Sequence, residues 1–196
     1  MNAQLERRKT HAIGSLQTLR TDVVKQNEAK ASGAALGFVA EAGYLILALW
    51  LGAGLFLSFV VAPGAFRVAP SRETAGAMVG YGLSFLNTSG FFVGLVLLVS
   101  AWRWRGKEGR SRRVEIIALL VLSIFAGINQ WVIAVRLREI RQGVGRAIDE
   151  IAISDPARVM FGRWHASSMV ALLICMLAAA VALAAMKRRR SSEAKF

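Results

Sequence analysis

Uncharged polar side chains interrupt four otherwise apolar stretches of the sequence. Ser58 falls in the first stretch, Asn87 in the second and Asn129 in the third, while His165 and Ser168 begin the fourth. If the stretches are membrane helices, a rise of ~1.5 Å per residue puts all five residues within ~10 Å of one interface. Polar groups within a span are costly unless they are paired. Their common depth therefore predicts a site that binds or passes a small solute or a metal ion.

The same residues have a second interpretation. Asn87, Asn129 and the serines can hold helices together through interhelical hydrogen bonds worth about 0.6 kcal/mol each, and we interpret the amides mainly in this way. His165 is the only candidate metal ligand, because an imidazole binds metals near neutral pH. A histidine near an interface more commonly makes a hydrogen bond or places its ring at the membrane surface.

Arrangements typical of enzymes are absent from the sequence. It has no glycine-rich phosphate loop, no paired carboxylates within a span and no nucleophile beside a base, so we predict no enzymatic activity and no cofactor. Glu41 and Glu115 stand beside basic residues, where a surface ion pair suffices. A haem held between helices normally needs two axial residues and His11 is a poor second one, so a haem or quinone redox subunit is the least favoured function.

The elements that position the polar residues are the four apolar stretches, at residues 44–62, 83–101, 116–135 and 166–186. Each is about as long as the ~30 Å hydrocarbon core is thick. Lipid cannot hydrogen-bond the backbone, so each must be a helix, and short connections make neighbouring helices antiparallel. We predict an all-α integral membrane protein, an up-down bundle of four transmembrane helices. Cys175 lies within the fourth helix and is expected to be a packing residue.

Basic residues predict the orientation of the bundle. The net charge is +13, and Lys and Arg are densest in residues 1–40, 103–113 and 187–190. An even number of spans places these segments on one side, which the positive-inside rule makes cytoplasmic. We therefore predict a basic cytoplasmic arm (1–40), a transmembrane domain (41–187) and a basic cytoplasmic tail (188–196) in the inner (plasma) membrane. Anionic lipid head groups are the expected partners of this basic surface, rather than nucleic acid.

Local signals extend three helices beyond the membrane on the outer side. Ser71 is placed to cap a helix that begins at Arg72, and Asp155 followed by Pro156 is typical of a helix start. The apolar stripe of the third span continues as far as Ile151. Helices two, three and four are therefore expected to protrude together.

Small residues recur at every fourth position of the second helix. This spacing lets two helices approach closely, and we favour that role over the lining of a ligand crevice. Because these stripes exceed what one bundle needs, the alternative function is a structural or assembly partner that docks other membrane proteins or copies of itself. The residues are Gly76, Gly80, Ser84 and Thr88, followed by Gly90 and Gly94, with Gly54 in the first span.

Three groups of residues resemble a known family. They are Pro63, Phe66, Arg67, Pro70 and Gly76 at the outer corner, Asn129 with Trp131, and Phe161 with Trp164, His165 and Ser168. Over roughly residues 44–186 this order resembles the transmembrane-protein-205-like family, DUF4149-like bacterial membrane proteins of unknown function. The family often has an asparagine where this chain has Leu172. The resemblance implies a four-helix domain in a bacterial membrane, with no established reaction or substrate.

Overall fold

The structure is a computed structural model that describes residues 20, 24–27, 37–103 and 109–193. Within these ranges the regular structure is entirely helical, with no strand. Most of the predicted arm, Trp104 and the last residues of the tail lie outside the described residues. The chain divides into a unit Met1–Gly43 and a unit Tyr44–Phe196, and the second unit contains all the packing described below.

Four helices account for nearly all described residues. They are α1 (Gly37–Val68), α2 (Arg72–Arg103), α3 (Arg110–Val144) and α4 (Pro156–Glu193). Each is long and apolar enough to cross a membrane. The 32 residues of α2 span about 48 Å, more than the ~30 Å hydrocarbon core, so every helix has length to spare. The prediction of four α-helices that are candidates to span a membrane is confirmed.

Helix α1 contains a π-helical turn at Leu57–Val61 and ends soon afterwards. The turn directly precedes Pro63, which has no backbone N–H to donate and therefore disturbs the regular hydrogen-bond ladder. The Ala62 N–H bonds the Leu57 carbonyl oxygen instead. The helix ends where Ala69 adopts an extended conformation, as a residue before proline prefers.

Both predicted helix starts are confirmed. The Thr74 backbone N–H donates to Ser71 Oγ at 3.1 Å, at the start of α2. The Ala157 N–H donates to Asp155 Oδ1 at 2.8 Å, at the start of α4. Each side chain satisfies a backbone donor that a helix leaves unpaired at its first turn.

Helix α3 also carries a π-helical turn, at Asn129–Ile133, and then continues as an α-helix over Ala134–Val144. It ends at Gly145, whose φ of 68° lies in the left-handed region that favours glycine. Ile148 and Ile151, which the predicted apolar stripe includes, therefore lie beyond the end of the helix. The Ile151 side chain is still buried.

The core lies among the four helices and combines large and small side chains. Leu47 and Trp50 of α1 and Leu86 of α2 pack with Leu119 and Leu122 of α3 and with Cys175, Ala179 and Ala182 of α4. The Trp50 ring nitrogen donates to the Leu86 carbonyl oxygen at 2.9 Å, which joins α1 to α2. Cys175 is fully buried here, which confirms its packing role.

One expectation about surface charge is wrong. Glu115 is 2% exposed, and its Oε2 atom lies 3.5 Å from Nη1 of Arg189 on α4. Nearby, Arg112 Nη2 donates to the Ala101 carbonyl oxygen of α2 at 2.8 Å. Because the ends of α2 and α4 cover the start of α3, the Glu115 carboxylate is enclosed rather than set at the surface. We call Arg112, Glu115 and Arg189 the basic-end cluster.

Candidate functional site

Three buried polar side chains from three helices form one hydrogen-bonded cluster. Asn129 Nδ2 donates to Asn87 Oδ1 at 3.3 Å and to the Ser168 carbonyl oxygen at 3.4 Å. Ser168 Oγ donates to Asn129 Oδ1 at 2.8 Å. Asn129 is 1% exposed, Asn87 2% and Ser168 4%. A buried polar group costs free energy unless it is paired, so Asn129 compensates groups on both neighbouring helices.

The π-helical turn of α3 presents two consecutive polar residues to α2. Asn129 begins the turn and Gln130 follows it. Gln130 Nε2 donates to Ser84 Oγ at 2.8 Å, one helical turn along α2 from the Asn87 contact. A π-helical turn holds one residue more than the α-helical turn it replaces, and such turns are frequent at functional sites. We call Ser84, Asn87, Asn129, Gln130 and Ser168 the polar wall.

A cleft of about 680 Å³ lies beside the polar wall, between α2, α3 and α4. Asn87, Asn129, Ser168 and Ser84 line part of it, so the buried hydrogen bonds sit at the edge of an open space. The volume is that of a typical small-molecule site. The lining also includes Phe66 of α1, Arg72, Glu73, Gly76, Gly80, Tyr81 and Leu83 of α2, Leu137, Arg138 and Arg141 of α3, and Arg158, Phe161 and His165 of α4, with Arg146, Ile148 and Asp149 of the α3–α4 connection.

The small residues of α2 have two different roles. Gly76, Gly80 and Ser84 line the cleft, and a Cβ atom added at Gly80 would meet nothing within 4 Å. Our preferred interpretation, close helix packing, is therefore wrong for this part of α2. Close approach needs small residues on both helices. The facing part of α3 instead carries long side chains such as Arg138 and Arg141, which leave the space open.

Farther along α2 the packing interpretation is confirmed. A Cβ atom at Gly90 would lie 2.5 Å from Cζ2 of Trp50, and one at Gly94 would overlap Ser123 Oγ. Gly54 of α1 similarly faces Met176 and Leu86. Side chains of the same chain lie close to each of these glycines, which removes one reason to expect a separate docking partner.

Five arginines line the cleft, against two carboxylates, Glu73 and Asp149. In the part of the chain that the structure describes, none of the five lies within 4.0 Å of a carboxylate oxygen. Their positive charge is therefore not compensated by an ion pair. The five residues, which we call the arginine set, are Arg72, Arg138, Arg141, Arg146 and Arg158.

Two members of the arginine set are held in place by contacts other than ion pairs. The Arg141 guanidinium carbon lies 5.0 Å from the centre of the Phe161 ring, a cation–π contact between α3 and α4. A Cβ atom at Gly76 would lie 3.4 Å from Arg141 Nη2, so this side chain also reaches α2. Arg158 Nη1 donates to the carbonyl oxygens of Asp149 and Ile151, at 3.2 and 2.6 Å.

Four of the five predicted site residues meet at the cleft. Asn87, Asn129, His165 and Ser168 all line it, and the His165 ring is parallel to that of Phe161 at a centroid distance of 6.0 Å. Ser58 does not line it, and its hydroxyl donates to the Gly54 carbonyl oxygen of its own helix at 2.8 Å.

The residues of the family resemblance occupy different places. Phe66, Gly76 and Phe161 line the cleft. Pro63 and Pro70 lie where α1 is distorted and where it ends, and Arg67 belongs to its last turn. Trp131 packs edge-on against Phe91, with ring centroids 4.8 Å apart, and is not part of the cleft lining.

The arginine set is what sequence reasoning missed. Leu137, Arg138 and Arg141 recur at helical spacing on α3, which was a usable signal. Metal chemistry gains no support: within residues 37–103 and 109–193 there is no group of three or more His, Cys, Asp and Glu side chains that could hold an ion. His165 stands without such companions.

The described residues therefore form an all-helical protein with four helices long enough to cross a membrane and a polar, arginine-lined cleft at one end. More specifically, residues 45–144, just over half of the 196, match the family described as Domain of unknown function (DUF4149), and the chain belongs to that family. The match supports that part of the resemblance and not the transmembrane-protein-205-like name. It covers Asn87 and Asn129 but not α4. No curated protein and no solved structure matches the chain.

Proposed function

We propose that this chain is a multi-pass membrane protein, without enzymatic activity, that binds a small solute in the cleft. The observation that carries the proposal is the polar wall at the edge of an open space of about 680 Å³. Its hydrogen bonds fix the side chains before a solute arrives, so that binding costs little reordering. The cleft does not extend into the core beyond the polar wall, where Leu119, Leu122 and Cys175 are fully buried. This packing favours binding over passage.

The membrane placement rests on the exposed apolar surface and on the basic residues. Leu49, Phe59 and Phe85 are each at least 74% exposed. A surface that exposes such large apolar side chains is poorly suited to water. Lipid is the environment that such side chains suit. An up-down bundle in the inner membrane with both termini cytoplasmic puts the basic-end cluster inside and the cleft outside.

The charge of the lining argues for a solute other than a metal ion. Five arginines line the cleft against the carboxylates of Glu73 and Asp149, so a free cation would be repelled. An assembly partner is the alternative function. Gly54, Gly90 and Gly94, which suggested it, contact side chains of the same chain, so no observation favours it over solute binding.

Cysteine labelling in intact cells tests the placement. The native Cys175 is buried and should stay silent, so single cysteines report alone. A membrane-impermeant maleimide should label Gly80→Cys in the cleft from outside. It should label Ser191→Cys, near the end of α4, only after the membrane is opened. The reverse pattern would contradict the orientation, and labelling of both in intact cells would contradict the membrane-spanning arrangement.

Native mass spectrometry tests the binding. Protein released from the membrane in mild detergent should retain a small molecule. Gly80→Trp should exclude that molecule by filling the cleft, because Gly80 faces open space. Gly52→Trp is the matched control, since Gly52 also has free space around it and lies outside the cleft. Equal retention in Gly80→Trp would contradict solute binding, and so would a bare wild-type protein to which no added small molecule binds.

A further inference from the structure

We propose that the solute carries a phosphate group and that the arginine set binds it. This inference rests on the proposed function, because it names the chemical class of the ligand that the cleft takes. The phosphate could belong to a lipid head group or to a free small molecule. The chemistry of recognition is the same in both cases, and the experiment separates the two sources.

The charge of the cleft lining favours an anion. The lining of one cleft contains five arginines, and none has a carboxylate partner within 4.0 Å among the described residues. The two carboxylates of the lining, Glu73 and Asp149, leave a positive excess. Like charges gathered in one concave site repel each other, and a bound anion removes that repulsion. The neutral polar wall adds hydrogen-bonding groups of either kind and no opposing charge.

The geometry of the arginines suits a phosphate group. Arg141 lies against Phe161 of α4 and reaches Gly76 of α2, so its guanidinium stands in the gap between three helices. Arg158 is fixed by two backbone carbonyl oxygens and keeps other donors available. A guanidinium presents several N–H groups in a rigid fork that matches phosphate oxygens. Several arginines from different elements suit a phosphate, which has more than two acceptor oxygens, better than a carboxylate, which has two.

Part of the cleft lining is apolar. Phe66, Leu83, Leu137 and Ile148 border the same space as the arginine set, and Tyr81 at its edge is 82% exposed. A bare inorganic ion would leave these surfaces unused. An organic body attached to the phosphate would cover them. The exposed Tyr81 and Phe66 also connect the cleft to the apolar outer surface of the helices, which gives a lipid tail a route out.

Two matched pairs of probes test the inference on the full chain in a neutral detergent. Glycerol 3-phosphate is compared with glycerol, and phosphatidic acid with the diacylglycerol that has the same chains. Each pair differs by its phosphate. Binding is measured by native mass spectrometry and by the rise of the unfolding temperature, which follows the ligand concentration relative to Kd. The expected result is that at least one phosphate-bearing probe binds and that its neutral counterpart does not.

Substitutions connect the binding to named residues. Arg141→Gln should weaken phosphate binding about tenfold, the usual effect of losing a hydrogen bond to a charged group. The affinity of Arg141→Lys should lie between those of wild type and Arg141→Gln, because lysine keeps the positive charge but lacks the forked N–H groups of a guanidinium. Arg163→Gln is the matched control: Arg163 is exposed on α4, is not part of the lining, and its loss should change binding less than twofold. Unfolding without ligand checks that every variant is folded.

Each outcome has a defined meaning. Binding of phosphatidic acid alone assigns the phosphate to a lipid, and binding of glycerol 3-phosphate alone assigns it to a free molecule. Equal binding of the neutral probes, no binding of either phosphate probe, or equal losses in Arg141→Gln and Arg163→Gln would overturn the inference. In those cases a retained molecule that Gly80→Trp excludes would leave solute binding intact. A wild-type protein that is isolated empty and binds no phosphate-bearing probe would defeat both proposals.

Discussion

Asn129 of α3 donates from one amide nitrogen to the Asn87 side chain of α2 and to the Ser168 backbone of α4, at 3.3 and 3.4 Å. Its oxygen accepts from the Ser168 hydroxyl at 2.8 Å. One side chain thus joins three helices, at the level where close packing gives way to the cleft. The effects of substitutions around it are therefore expected to depend on how many helices lose a contact.

Replacing Asn129 by leucine should lower the free energy of unfolding by about 1–2 kcal/mol, because Asn87 and Ser168 lose their partner in a buried place. SDS titration of the purified protein in mixed micelles measures this change. The control is Ser58→Ala, whose hydroxyl bonds only its own helix. It should change stability by less than half as much. An Asn129→Leu protein as stable as wild type would show that the cluster contributes nothing.

Gly90→Ala should destabilise the protein by about 1–3 kcal/mol, since the new Cβ atom would lie 2.5 Å from Cζ2 of Trp50. The smaller ring in the double variant Gly90→Ala with Trp50→Phe should restore part of the loss. Gly80→Ala, placed in open space, should be neutral or slightly stabilising. Thermal unfolding of the four proteins is the measurement. Equal effects of the two alanines would contradict the packing described here.

Glu115→Gln should destabilise by about 2 kcal/mol, because it removes the buried charge and leaves Arg189, whose side chain is only 23% exposed, without this partner. Glu139→Gln is the control. Its carboxylate is closer to an arginine, 2.8 Å from Arg136, but this pair is more than half exposed. Its removal should change stability by less than about 1 kcal/mol. Stability is measured by SDS titration. A larger loss in Glu139→Gln, whose ion pair is shorter, than in Glu115→Gln, whose carboxylate is buried, would contradict this expectation.

Asp155→Ala should cost about 1 kcal/mol of stability by removing the cap of α4. Fraying of the first turn would also displace Arg158, three residues later. We therefore expect a weaker affinity for the phosphate-bearing probe of the further inference, in addition to a lower unfolding temperature. Asp155→Asn keeps a capping side chain and should preserve both quantities. Equal losses in the two variants would point to the charge rather than to the cap.

The sequence was sufficient for the elements and for part of the site. Apolar length alone predicts the four helices, and the caps at Ser71 and Asp155 are local signals that require no knowledge of neighbours. Asn87, Asn129 and Ser168 could be grouped by depth, because residues at equal height on antiparallel helices meet.

The remaining features depend on contacts between distant parts of the chain. Glu115 looked exposed because its own neighbours are basic, and its burial depends on distant parts of the chain such as Arg189 of α4. The arginine set combines residues from α2, α3, α4 and a connection, and no single stretch displays it. Gly76 and Gly90 carry the same local signal. They differ because α3 offers long side chains near one, while Trp50 of α1 fills the space beside the other.

The π-helical turn at Asn129–Ile133 gives α3 an uneven tolerance to changes in length. Such a turn absorbs one surplus residue locally, so the helix on either side keeps its rotational phase. Deleting Val132 should straighten the helix and disturb the polar wall, while Arg138 and Arg141 keep facing the cleft. Deleting Val135, just beyond the turn, should rotate both arginines by about 100° away from it. Insertions and deletions a few positions apart would thus affect two halves of the same site independently.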